Sequence, residues 1–210
     1  AVGSESMDNA TGGAFNTAIG ARTLRNTTTG SYNTAVGQLA GTLISSGFNN
    51  TSVGQRSLSL ASTANNNSAF GQDALGSLTT GNNNVALGYE SLGELIAGNN
   101  NVAIGVDAGN SNTGINNSNY SVYIGTNAGY DTKLNNALFI ESSSSQSAPD
   151  TETPLIGGDF TANRVGINVD ISPLTNLTHT LTVNGDVRAS GGFSTPTNTY
   201  PDYVFESYFL

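Results

Sequence analysis

Three carboxylates stand at equal steps along the chain: Asp73, Glu90 and Asp107, each 17 residues from the next. Arg56, one step earlier, extends the series. If equal steps in sequence become neighbours in space, the result is an acidic ridge with an arginine at one end. Arg56 would then pair with Asp73, while adjacent like charges would repel by roughly 1 kcal/mol per contact in water. A bound Ca²⁺ could relieve that repulsion, since it takes several oxygen ligands. The alternative is a solvated ridge with splayed side chains, and this is the reading taken. Asp73, Glu90 and Asp107 are therefore the candidate binding residues, with no metal assigned.

Other chemistry finds no support. His179 is the single histidine, and its neighbours Thr178 and Thr180 supply neither a triad nor a metal-ligand spacing. Gly157-Gly158 and Gly191-Gly192 read as turn glycines, because no helix-opening phosphate loop surrounds them. No pair of carboxylates stands out as acid and base. The chain is expected to be non-catalytic and to carry no cofactor.

The step of 17 belongs to the whole chain. A glycine recurs at Gly3, Gly20, Gly37, Gly54, Gly71, Gly88 and Gly105 without one insertion, and again at Gly125 after 20 residues. A repeat this strict, and too short to fold alone, signals an array whose units stack. Four places before the glycine stands asparagine, as in Asn33, Asn50, Asn67 and Asn84; two before it stands Ala or Ser; one before it, a large apolar residue. The alternation has period two and predicts a strand. Val36, Val53, Leu87 and Ile104 are expected to form one buried column, with Asn and Ala on the opposite face. The glycine turns the chain, and a second short strand is expected beyond it, from a small residue (Ala40, Ser57, Ala74) and then Leu58 or Leu75. Asparagine, glycine and threonine are too dense for helix. The fold class is all-β, a parallel β-solenoid or β-roll, one coil per repeat at about 4.8 Å. Asn49, Asn66, Asn83 and Asn100, beside Asn50, Asn67, Asn84 and Asn101, are expected to stack as structural ladders. No aromatic platform accompanies those coils to favour glycan binding.

The alanine column, Ala18, Ala35, Ala69, Ala86 and Ala103, is unusually restricted for a water-facing strand surface. Either alanine fits a tight corner of the coil, or another chain packs flat against it. A thin core favours the second; closed cyclic symmetry is the usual form of such association, and a homotrimer is the form expected here. The runs NTAIG, NTAVG, NVALG and NVAIG resemble the head repeats of trimeric autotransporter adhesins, and similar repeats in phage tail fibres and large bacterial surface proteins. Over residues 1 to about 130 that resemblance implies a trimeric, left-handed β-roll, exported or virion-borne, with a role in attachment.

Composition agrees with an ordered array rather than a globule: 36% hydrophobic, 10% charged, 26 glycines and no cysteine. The net charge is −9, with six lysines and arginines. No basic stripe exists to neutralise phosphates, which argues against nucleic acid. No apolar run reaches membrane-spanning length. Ala1-Val2-Gly3 already reads as the end of a repeat strand, so further repeats are expected before it.

Residues 1–141 are assigned to the solenoid, with Ala137-Leu138-Phe139-Ile140 as a closing cap. Tyr123, in the alanine column, suggests a change in lateral packing. Residues 142–153 read as a polar linker, 154–195 as a small β region, and 196–210 as an aromatic tail leading to a missing module. In the β region two strands flank a turn at Thr161-Ala162-Asn163, and Asn184-Gly185 signals a hairpin. The segment GGDFTANRVGIN…LTVNGDVRASGGF resembles the stretch before the C-terminal module of tail fibres. The expected function is a structural, adhesive fibre segment for extracellular attachment, on a cell-surface filament or a virion. The alternative is a receptor- or glycan-binding module of a tail fibre or spike. The partners follow from this: a homo-oligomer with a trimer favoured, a surface glycan or protein receptor, and no membrane span.

Overall fold

The computed structural model describes residues 1–112, 116–142, 154–169, 171, 174, 177 and 179–187. The first eight strands are β1 Thr17–Ile19, β2 Thr34–Val36, β3 Thr51–Val53, β4 Ser68–Phe70, β5 Val85–Leu87, β6 Val102–Ile104, β7 Val122–Ile124 and β8 Ala137–Ile140. Each pairs parallel with the next in unbroken register, Ala35 beside Ser52, Ser52 beside Ala69, Ala69 beside Ala86. The chain is a parallel β-solenoid of 17-residue coils, and no α-helix occurs among the described residues.

Two properties fix the anchor glycine. From Gly20 to Gly105 its φ lies between +127° and +142°, a region closed to side chains. A Cβ there would also meet the next anchor's carbonyl oxygen, at 2.2 Å for Gly71 against Gly88. Stacking at strand spacing leaves no room for one.

Beyond the glycine the expected second strand does not form. Residues two and four places on are left-handed, as at Arg22 (φ 59°) and Leu24 (φ 46°), and again at Asp73 and Leu75. Each such turn costs a non-glycine residue roughly 1–2 kcal/mol. The stack offsets it with hydrogen bonds: Arg22 N–H donates to the Ser4 carbonyl at 2.9 Å and Leu24 N–H to the Ala40 carbonyl at 3.1 Å. One strand and a long, hydrogen-bonded turn make one coil.

The inside of the coil reverses the sequence reading. Ala18, Ala35, Ala69, Ala86 and Ala103 are buried within their own chain, facing a column of Leu24, Leu58, Leu75 and Leu92. The large residues beside them point outward: Ile19 is 46% exposed, Leu87 49% and Ile104 40%. They do form one column in register, but on the outer surface. A 17-residue coil is too thin for two large side chains to meet across it, so leucine comes from the turn and only alanine fits on the strand. The exception confirms this. Where the turn leucine becomes Gly109 and Gly129, the strand residues become Tyr123 and Phe139, whose buried rings stack at 5.7 Å; at Gly41 the strand keeps Ala35 and Ser52, and buried Ile44 lies against the glycine instead. A Cβ at Gly109 would lie 2.7 Å from the Tyr123 ring. Tyr123 thus fills the core and does not alter a lateral surface.

The buried asparagines tie coils together. Asn50 donates from Nδ2 to Asn33 Oδ1 at 3.0 Å and to the Ala64 carbonyl at 2.7 Å, while its N–H also donates to Asn33 Oδ1. Each amide touches the coil before and the coil after, and all its bonding capacity is used.

The sheet does not close at β8. β9 (Ile156–Asp159) pairs antiparallel with β8, β10 (Arg164–Ile167) antiparallel with β9, and β11 (Leu181–Val183) parallel with β10. The β9–β10 turn is capped by Asp159 Oδ1, which accepts from Thr161 N–H and Ala162 N–H at 2.9 and 3.1 Å. Ile171 and Leu177 are buried behind Gly157 and Gly166, giving this end a small core. Of the strand expected after Asn184-Gly185, Asp186 and Val187 are described and form no strand; Arg188 and Ala189, the polar linker beyond Ser142 and the aromatic tail lie outside the described residues.

Candidate functional site

The turn after each anchor glycine places Asp73, Glu90 and Asp107 one coil apart, all left-handed, with φ of 58°, 51° and 54°. They line up on successive coils, but not as the solvated, splayed ridge of the sequence reading: Asp107 is buried, and the carboxylates are held by hydrogen bonds. Arg56 grips Asp73 with a two-pronged contact, Nε to Oδ1 and Nη2 to Oδ2, both 2.7 Å. Asn110, buried at the foot of the ridge, donates through Nδ2 to Asp107 Oδ1 at 2.9 Å and to Glu90 Oε2 at 3.3 Å. Its Oδ1 accepts from Glu94 N–H and Ser111 N–H. Ser111 Oγ in turn donates to Asp131 Oδ1 at 2.6 Å. Asparagine, serine and arginine thus supply the relief that a cation would otherwise give. Among the described residues no group of three or more His, Cys, Asp or Glu is gathered to hold a metal. Open, polar grooves run along the ridge, lined by Asp73, Glu90, Glu94, Asn110 and Tyr130.

The hydrogen bonds from Arg56 outweigh burial and hold the Asp73 carboxyl below its usual range. A depressed carboxyl pKa stabilises the fold above the unfolded value, about 3.9. That contribution is lost as pH falls through the lower folded value. Arg56→Gln is expected to raise the Asp73 midpoint in a carboxyl NMR titration and to narrow the acid range over which the coils persist. An unmoved midpoint would show that the fork does not hold in solution. His179 lies exposed just before β11.

The second candidate is the outward face of the sheet, which the sequence reading had placed inside. One line runs Ile19, Val36, Val53, Phe70, Leu87, Ile104, Ile124 and Ile140 across β1 to β8. It continues through Ile156, Ile167 and Val183 despite the change to antiparallel pairing. A second line, two residues earlier in each strand, begins as Thr17, Thr34, Thr51 and Ser68 and becomes Val85, Val102, Val122 and Leu138. Neither line contains a charge. At one flank the exposed rings of Phe15 and Tyr32 stack at 5.0 Å. A signal for the inversion was present in the chain: aromatic residues enter the alanine column only where the turn leucine is glycine, the mark of two columns in contact.

No family model, curated protein or solved structure matches the chain. Among the described residues no helix is long and apolar enough to cross a membrane. A functional reading therefore rests on the geometry of the ridge and the face.

Proposed function

We propose that this chain is a non-catalytic segment of an extracellular attachment fibre, assembled as a homotrimer through the outward sheet face. The observation that carries the reading is the uncharged apolar line, exposed or half-buried, on the outward side of every strand from β1 to β11. Water-facing sheets alternate apolar and polar residues to avoid such a surface, and patches beyond a few hundred Å² mark interaction sites. The alanine face has no part in this, being the chain's own core. The likeness of the NTAIG-type runs to adhesin heads and tail fibres supports a filament on a cell surface or a virion. The segment would hold a binding end away from its base, as a domain series from repeat rod through linker to C-terminal module.

Leu87→Glu tests the reading. Leu87 is half-exposed, so the lone chain tolerates the change, whereas a packed three-fold face would bury three unpaired carboxylates. Light scattering is expected to give about three times the 21.4 kDa chain mass for the wild type. The variant is expected at the single-chain mass with unchanged far-UV circular dichroism. A wild type of single-chain mass would sink the proposal.

A second reading, glycan binding by the coils themselves, draws on the Phe15–Tyr32 stack beside the exposed amides of Asn49 and Asn66. Sugar rings pack on aromatic surfaces while amides bond their hydroxyls. Retention of the isolated repeats on a glycan array, lost with Phe15→Ser and Tyr32→Ser together, would favour it.

A further inference from the structure

Asparagine is a chemically fragile residue. Its side-chain carbonyl carbon lies one five-membered ring away from the backbone nitrogen of the next residue, and attack across that gap expels the amide as ammonia. The stack is rich in asparagine and yet closes this route in two ways. After Asn33, Asn50 and Asn67 the attacking nitrogens would be those of Thr34, Thr51 and Ser68, and each donates its N–H to a carbonyl of the next coil at 2.8 Å. After the outer asparagines Asn49, Asn66, Asn83 and Asn100, the nitrogens of Asn50, Asn67, Asn84 and Asn101 donate to the buried amide of the coil before, between 2.9 and 3.1 Å. A nitrogen whose proton is engaged between coils neither loses it nor turns to attack. Only opening of the stack frees it.

One asparagine stands outside this protection. Asn184-Gly185 is the single Asn-Gly pair in the 210 residues, and it follows β11 directly with both residues exposed. Gly185 has a φ of 148°, a conformation that favours glycine. Among the described residues nothing lies within 4 Å of the place a Cβ would take there. The turn thus selects the one residue type that leaves its own nitrogen unshielded. Asn184 is held by its main chain: its N–H donates to the Ile167 carbonyl at 3.0 Å, and its carbonyl accepts from Asn168 Nδ2 at 3.1 Å. We infer that Asn184-Gly185 is a self-modification site, at which the side-chain amide is lost and the backbone is rerouted without an enzyme. The Gly185 nitrogen bonds to Asn184 Cγ, the Cγ–Nδ2 bond breaks, and the proton of the attacking nitrogen leaves with Nδ2 as ammonia. Water then opens the resulting succinimide at either carbonyl. Opening at Cγ gives aspartate; opening at the main-chain carbonyl gives isoaspartate, whose chain continues through Cβ and Cγ. Both products place a new carboxylate beside Asp186. In isoaspartate the group bonded to Asn168 becomes that carboxylate, so β11 stays paired while the chain from Gly185 onward leaves by a longer path. Elapsed time, rather than a ligand, sets the exit from this end of the sheet.

The test incubates the folded full chain in mildly alkaline buffer and reads each asparagine by peptide mass spectrometry, with electron-transfer fragmentation to separate isoaspartate from aspartate. Asn184 is expected to convert at least tenfold faster than Asn67 or any other asparagine of the stack, with isoaspartate the larger product. In concentrated urea, which exposes the coils, Asn67 is expected to accelerate at least tenfold while Asn184 keeps its rate. Asn184→Gln, whose attack needs a less favourable six-membered ring, is expected to lose the acidic species that the wild type accumulates on isoelectric focusing. A rate at Asn184 in the folded chain no greater than at Asn67, or an acidic species that persists in Asn184→Gln, would overturn the site. An Asn67 rate unchanged by urea would overturn the protection assigned to the stack.

Discussion

Ala86→Glu is expected to unfold the coils around it, and to do so in a lone chain as fully as in an assembly. Ala86 is completely buried, paired in register with Ala69 and Ala103 on the inner side of the sheet. The column of turn leucines opposite leaves no space for four more heavy atoms, and the neighbours along the line, Ala69 and Ala103, are apolar. A carboxylate there is either ionised without a partner or forced to remain protonated. An uncompensated buried charge costs about 3–5 kcal/mol, and overfilling a packed core adds roughly 1–3 kcal/mol. Against a total stability of about 5–15 kcal/mol for a domain, that removes most of the margin. Far-UV circular dichroism and a thermal melt decide the matter, with Leu87→Glu as the control one residue away. The two changes are expected to separate cleanly: loss of fold at 86, loss of assembly with fold intact at 87. Equal melting temperatures for Ala86→Glu and wild type would mean that the alanine column faces outward after all.

Asn84→Leu is expected to be nearly as damaging, although it makes the core more apolar. Asn84 donates from Nδ2 to Asn67 Oδ1 at 3.0 Å and to the Gly98 carbonyl at 2.9 Å. Its own Oδ1 accepts from both Asn101 N–H and Asn101 Nδ2, each at 3.0 Å. Leucine supplies none of these, so the Gly98 carbonyl and two donors of Asn101 lose a partner inside a dry stack. Each buried group left unmet costs about 1–3 kcal/mol, which for three groups sets the total on the order of 3–9 kcal/mol. The damage reaches both neighbouring coils, because the ladder runs through three. Denaturant unfolding measures it as a drop in midpoint. A drop equivalent to less than about 1 kcal/mol would mean that the backbone carries the stack and the amides are replaceable.

The coil length, the anchor glycine, the asparagine ladder and the Arg56–Asp73 pair were all legible in the sequence, because each depends on spacing alone. A period of 17 determines which residues become neighbours, whatever direction they face. Direction was the part that failed. Large apolar side chains were read as interior, a rule that holds for sheets thick enough to cover them. Here Leu24, Leu58, Leu75 and Leu92 come into the core from the turn, and the space left on the strand fits alanine. The turn reads as a strand because the left-handed conformation of Arg22, Leu24 or Leu75 has no compositional mark; glycine, asparagine and aspartate are the residues that advertise it. A further, half-buried ladder, Asn65 Nδ2 to Asn82 Oδ1 and Asn82 Nδ2 to Asn99 Oδ1, has no expectation in the sequence reading, being overshadowed by the stronger columns. Of the acidic ridge, the positions were readable. Its stitching by Asn110 was not, since Asn110 falls outside the repeat pattern.

The inter-coil hydrogen bonds described above run from each coil to the coils on either side, along the long direction of the stack. Tension applied along that direction therefore loads them in series, each layer feeling the full force with only its own few bonds to resist. Such a rod gives way one coil at a time from an end rather than shearing all at once. A released coil exchanges about 4.8 Å of rod for up to roughly 60 Å of extended chain. A tether built this way lengthens under a sudden pull and limits the load passed to whatever it holds.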